Sequence, residues 1–191
     1  GASTLAGVSG GLGSATTLTL QDSYALLDPL FSPSVKEVAP ELSTSGQLVA
    51  GRSNTSSRVV GVTPEYQTVR NFPVQTGRFI SQTDMDNNAQ VVVLGSSVYD
   101  TLFGFQDAVG QTMRISGRQF TVIGVLESKG AAGSFGFLDD QVLVPITTAY
   151  FRLASQRTSR GDVNVQTINV QISSIETMEQ AIREVSTALR L

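Results

Sequence analysis

The sequence predicts an α+β fold in which one small lobe is inserted into another. Three observations predict it. Short apolar strands alternate with short capped helices, which favours α+β layering over a doubly wound sheet. The stretch from Val91 to Leu126 has a compact strand, helix and hairpin order of its own. The sequence on either side of it reads as two parts of one other lobe. The expected boundaries are therefore residues 1–72, an inserted lobe at 73–137, and 138–191.

Taken in order, residues 1–17 are small, glycine-rich and aperiodic, and read as a flexible strap. Thr19 and Asp22 are spaced as a capping box for a helix closed by Pro29. Val35–Gly51 and Arg58–Val62 read as strands joined by a polar loop over 52–57. Thr63-Pro64-Glu65 predicts a cap and first turn for a short helix reaching about Arg70. The acidic run Asp84-Met85-Asp86-Asn87-Asn88 starts like a calcium loop. Ala89 and Gly95 then stand where glycine and a bidentate glutamate are required, so a solvated turn is expected.

Val91–Leu94 is an apolar run that suits a strand covered on both faces. Ser96 or Ser97 is expected to cap a helix in which Val98 lies over Leu102, and Gly104 suits a left-handed stop. From Gln111 to Leu126 the pattern alternates about the turn Ser116-Gly117, which predicts a hairpin. Residues 127–137 form a glycine-rich loop in which Phe135 and Phe137 are candidates for partner contact, and Lys129 and Arg78 are added as candidate cations. The same two phenylalanines could equally tuck back onto their own domain. Val142–Val144 is a further strand, with a helix over Thr147–Leu153. Val163–Ile172 alternates as another. Ser173 and Glu176 are spaced as a second capping box, ahead of an apolar stripe at Ile175, Met178, Ile182, Val185 and Leu189.

Composition narrows the chemistry. The 191 residues hold no cysteine and no histidine. Within this chain that excludes disulfides, thiol nucleophiles, histidine-based triads and histidine-ligated metals. A net charge of −3 with scattered arginines offers no basic stripe for nucleic acid. Gly7-Val8-Ser9-Gly10-Gly11 spells a hydrolase elbow, but no histidine exists to serve it. Two carboxylates remain the one feasible pair chemistry, and no convergent pair can be identified; Asp139-Asp140 is a pair by adjacency alone. Neighbours in a strand point to opposite faces, so both are expected to be solvated turn acids. No run approaches the roughly 20 apolar residues of a membrane span. The abrupt start and stop read as a segment excised from a longer chain.

Several pieces then fall into one order: Gly61-Val-Thr-Pro-Glu-Tyr66, Gly77-Arg78-Phe79-Ile80 with Asp84, Val91-Val-Val-Leu-Gly95 and Leu102-Phe103-Gly104. Val109-Gly110-Gln111, Ile115-Ser-Gly117, Phe120-Thr-Val-Ile-Gly-Val125, and Asp140 followed by Val144-Pro145 continue it. The series resembles the periplasmic core domain of MacB-type ABC transporter permeases. The resemblance implies a two-lobed α+β domain, with a porter-like β-α-β lobe and a small α/β, Sabre-like lobe inserted at 73–137. It implies a place on the periplasmic or extracellular side of a bacterial membrane, between two membrane helices. The implied role is a non-catalytic relay of ATP-driven motion to export. The implied partners are a second permease protomer, an ABC ATPase domain or subunit, and a periplasmic adaptor, with no cofactor in this domain and no nucleic acid. Family members carry a strand ahead of the glycine-rich strap, and this chain is expected to lack it, leaving an unpaired edge. The alternative from another class is an extracytoplasmic module that binds or senses a peptide or lipid. Binding of a small ligand by the isolated domain would favour it.

Overall fold

The computed structural model of the chain describes residues 5–9, 18–130, 138–154, 163–174 and 178–189. It divides into two units. One comprises Gly1–Leu42, Glu65–Asn71 and Gln156–Leu191, the other Ser43–Pro64 and Phe72–Ser155. The span 73–137 falls inside the second unit, which also takes in 43–64.

In the first unit, β9 (Thr167–Ile172) is the middle strand, antiparallel to β1 (Leu5–Ser9) on one side and to the first part of β2 (Val35–Ala50) on the other. β1 lies in what the sequence marks as a strap, and its register runs from Leu5 opposite Gln171 to Ser9 opposite Thr167. The expected strap is therefore partly strand, and the expected missing edge strand is present. Backbone pairing with β9 outweighs the weak strand propensity of the small residues here.

Helix α1 (Leu20–Ala25) starts at the expected capping box. The Asp22 N–H donates to Thr19 Oγ1 at 3.2 Å, and the Thr19 N–H returns to Asp22 Oδ2 at 2.8 Å. α2 (Tyr66–Val69) begins after Glu65 rather than at Thr63, whose hydroxyl is buried without a hydrogen-bond partner. α6 (Met178–Ala188) buries Ala181 and Val185. Ile182, placed on the core stripe by the sequence, is 47% exposed, because the buried face runs through the smaller Ala181 instead. The expected capping box at Ser173 and Glu176 falls partly outside the described residues.

The second unit is built on a ring of strands. The later part of β2 pairs with β3 (Ser53–Val62), β3 with β8 (Gln141–Pro145), and β8 with β5 (Val91–Leu94). β5 then pairs with β7 (Arg118–Leu126), β7 with β6 (Thr112–Ile115), and β6 returns to β2 through Leu48 opposite Ile115. Closure removes the free edges that six such strands would otherwise present. β4 (Val74–Gly77) extends the last residues of β7, beyond the reach of β6. All five residues of β8 are buried, as are three of the four in β5, which matches the expectation of a strand covered on both faces.

The expected hairpin forms, with φ of 50° at Ser116 and 81° at Gly117. Positive φ at both turn positions is the two-residue geometry that follows strand twist. The polar stretch 52–57 is not a loop: the turn is confined to Gly51-Arg52, and Ser53–Ser57 alternate between exposed and sheltered positions along β3. The helix expected over Thr147–Leu153 is a single α turn, α5 (Ile146–Thr148), passing into a π turn over Ala149–Leu153. The Ala154 N–H closes that turn onto the Ala149 carbonyl at 2.7 Å.

Helix α4 (Ser96–Leu102) is capped by Gly95 rather than by a serine side chain. The Gly95 N–H donates to the Gln141 carbonyl at 2.8 Å and the Ser97 N–H to the Asp139 carbonyl at 3.1 Å. Those two carbonyl oxygens leave no room for a β-carbon at residue 95. At its far end the helix stops as expected, with Gly104 at φ 59°.

Candidate partner-contact site

Three groups of side chains stand out. The first fixes the base of the loop after β7. The Asp139 carboxylate accepts from the Lys129 N–H at 2.8 Å, the Ser128 hydroxyl at 2.8 Å and the Gly130 N–H at 3.1 Å. Burial pushes the Asp139 carboxyl upward, but these donors, with the Ser96 hydroxyl, hold it below the ordinary aspartate range. Asp139 is therefore a staple and not the solvated turn acid expected. Asp140 turns elsewhere and accepts from the Ser57 hydroxyl. The two acids share no partner, so they do not form a proton-sharing pair.

Lys129 lies back on its own unit, with Nζ 4.6 Å from the centroid of the buried Phe72 ring. Arg78 is engaged too. Its guanidinium donates to Asp84 Oδ2 at 2.6 Å and Oδ1 at 3.1 Å, and to the Phe79 carbonyl at 3.0 Å. Asp84 is the N3 acid of α3 (Gln82–Asp86), a helix capped by Ser81 where a solvated turn was expected. The Arg78 hydrogen bonds hold the Asp84 carboxyl below the ordinary range, against the opposing effect of burial and with help from Ser81. The Ser-x-x-Asp spacing at 81–84 carried that signal in the sequence.

Arg78 and Lys129 are not brought together. The Arg78 N–H bonds to the Ile123 carbonyl, whereas the Glu127 N–H bonds to Pro73 at the other end of β4. Roughly 15–20 Å of strand separates the two ends. Phe135 and Phe137 lie outside the described residues. Beside the hairpin, a shallow trough of about 300 Å³ is lined by Val49, Gly51, Thr112, Met113, Arg114 and Gln119.

The second group is buried in the first unit. Asn169 Nδ2 donates to Glu41 Oε1 at 2.6 Å and to the Ala39 carbonyl at 3.1 Å. Arg70 places Nε 3.8 Å from the same Glu41 oxygen and Nη1 3.5 Å from Asn169 Oδ1. These bonds tie the end of α2 to β9 and β2. The third group is apolar and exposed: Leu30 and Phe31 on a turn of the first unit, and Phe105 just past Gly104 in the second. The sequence signal for both was an aromatic residue within a turn, behind Pro29 and behind Gly104.

The family model described as the MacB-like periplasmic core domain matches residues 2–188. The chain belongs to that family. The macrolide export ATP-binding/permease protein MacB of Chlorobaculum tepidum is 31% identical over 190 residues, covering 100% of this chain and 28% of that protein. The MacB of Bdellovibrio bacteriovorus is 39% identical over 119 residues, covering 62% of this chain and 18% of that protein. The chain thus spans under a third of the length of these curated relatives. Among solved structures, the periplasmic region of MacB from Actinobacillus actinomycetemcomitans superposes with a TM-score of 0.78 at 24% identity, covering 97% of this chain and 82% of that one. The extracellular domain of the noncanonic ABC-type transporter YknZ gives 0.74 at 20% identity, covering 93% and 84%. Both likenesses bear on the fold, and both fit the mixed α+β architecture described above. MacB-like domains are parts of permeases, and no helix among the described residues of this one is long and apolar enough to cross a membrane.

Proposed function

We propose that this domain is the extracytoplasmic relay of an ATP-driven export permease. In this reading it is non-catalytic and carries no cofactor. It works beside a second permease protomer, and passes motion generated by an ABC ATPase on the cytoplasmic side to the export of substrate. The family match over residues 2–188 carries the proposal. The relatives' names, which join ATP binding to a permease in one protein, support the coupling to ATP hydrolysis.

The construction of the second unit supports that reading. A closed strand ring, a helix end locked by Gly95 and a loop base stapled by Asp139 give it few internal degrees of freedom. The contact to a periplasmic adaptor is assigned to the loop over 127–138 and to the lobe that bears it. Replacing Phe135 and Phe137 with serine in the full-length transporter is expected to weaken adaptor binding and export, leaving ATP hydrolysis and melting temperature unchanged. A large fall in melting temperature with adaptor binding retained would show that the two rings are core residues and overturn the assignment.

A further inference from the structure

The chain passes between the two units at 42–43, 64–65, 71–72 and 155–156. The crossing at 71–72 is pinned before and after. In the first unit, α2 packs on β9 with Tyr66 and Val69 buried. Arg70, the next residue, reaches Asn169 Oδ1 with Nη1 at 3.5 Å and Glu41 Oε1 with Nε at 3.8 Å. In the second unit, the Phe72 ring is buried, with Lys129 Nζ 4.6 Å from its centroid. The Pro73 carbonyl accepts from the Glu127 N–H at 2.9 Å, and Val74 pairs with Leu126. One residue, Asn71, lies between Arg70 and Phe72, and its φ of 53° is one that asparagine tolerates better than most residues do. Two residues of chain span at most roughly 7 Å, so a link this short holds almost no slack.

Glu41 brings in a second crossing. It stands one residue before Leu42, where β2 runs on into the second unit within one strand from Val35 to Ala50. Glu41 is buried, and its Oε1 accepts from Asn169 Nδ2 at 2.6 Å. Arg70 Nε is also buried, and it has no hydrogen-bond partner. A carboxylate oxygen can accept more than one bond, and an ordinary N–H···O length is roughly 2.9 Å. One hydrogen bond is therefore left to make, within a short movement of the Arg70 side chain. Buried donors are seldom left in that condition without a role.

We infer that Arg70 is the clamp of a mechanical joint. Its grip on Glu41 and Asn169, looser or tighter by that one bond, couples the sheet of the first unit to the loop base at 127–130 through the short link at Asn71. Beyond the link the path runs from Phe72 to Lys129 and from Pro73 to Glu127, and the Lys129 N–H is itself held by Asp139. Closely packed groups with few alternative arrangements pass a displacement on rather than absorb it. The joint is a property of the domain and holds whether or not the domain serves an export permease. Within the proposed relay it supplies the step between the loop assigned to adaptor contact and the first unit.

The test is hydrogen exchange of the full-length protein, followed by mass spectrometry in peptides covering 127–130, β9 and the hairpin turn. The turn is the control within the second unit, since its Ser116 N–H is bonded to the Gln47 carbonyl at 2.9 Å. Arg70→Met removes the guanidinium and keeps most of the stem. Glu41→Gln removes the charge, keeps an acceptor for Asn169, and decides the question if Arg70→Met fails to fold. Either variant is expected to speed exchange at 127–130 about tenfold and to leave the turn unchanged. A second background carries two glycines inserted between Asn71 and Phe72, which slackens the link and removes no side chain. There the response at 127–130 should vanish while that at β9 persists. Faster exchange at β9 alone, with 127–130 unmoved in the first background, overturns the inference by making the cluster a local fastening of the first unit. Faster exchange at 127–130 and the turn alike also overturns it, as does a response at 127–130 that survives the glycines. Each of these results leaves the permease reading standing, because that reading is decided by whether the protein is membrane-bound.

Discussion

Gly95 is a position where one added carbon has nowhere to go. Its neighbours are backbone oxygens of Asp139 and Gln141, both of which already accept from the α4 end, so neither can rotate aside. Gly95→Ala is expected to cost on the order of 1–3 kcal/mol, measured as a lower denaturation midpoint with an unchanged slope. The acids Asp84 and Asp139 make a second prediction. Their carboxyls titrate below the ordinary range in the folded chain, so the unfolded chain takes up protons first as acid is added. Their stabilising contribution is complete above the ordinary aspartate pKa of about 3.9 and is lost as pH falls through the lowered folded values. Melting temperature should therefore drop steeply below about pH 4. Asp84→Ala should remove about 1 kcal/mol of cap stability near neutral pH and flatten that acid limb. An unchanged acid limb in the variant would show that Asp84 is not a source of it.

At the scale of elements, legibility followed how local the determining interaction is. The capping box at Thr19–Asp22, the turn at Ser116-Gly117 and the stop at Gly104 are set by residues a few positions apart, and all three are where the sequence placed them. β1 was hidden because its partner β9 lies some 160 residues away and its own composition argues for coil. The sequence points to a serine cap for α4 because the acceptors in use, the carbonyls of Asp139 and Gln141, lie just before and at the start of β8, some 40 residues on. Arg78 was legible as a charged residue but not as the partner of Asp84, whose capping role went unread. Helix α6 offers a direct check on which face is buried. Val185→Ala should cost about 1–2 kcal/mol, whereas Ile182→Ala should stay within about 0.5 kcal/mol, both read from denaturant midpoints. Equal costs would mean that the stripe through Ile182 is packed after all.

For the whole molecule, the central claim is a matter of place and coupling rather than of chemistry. Among the described residues no group of acids could hold a metal ion, and the polar clusters found are spent on the fold: Glu41 with Asn169, Arg78 with Asp84, Asp139 with the loop base. In the proposed relay role, function would be carried by surfaces and by stiffness, and neither leaves a motif that one sequence displays. The order of short pieces from Gly61 to Pro145 did display the family. The most direct measurement is protease accessibility of this segment in the full-length protein, read with an antibody in intact cells, in spheroplasts and after lysis. The expected result is a membrane-bound protein in which this segment is cut from the outer side of the cytoplasmic membrane. A soluble product, or a segment cut only after lysis, would contradict it.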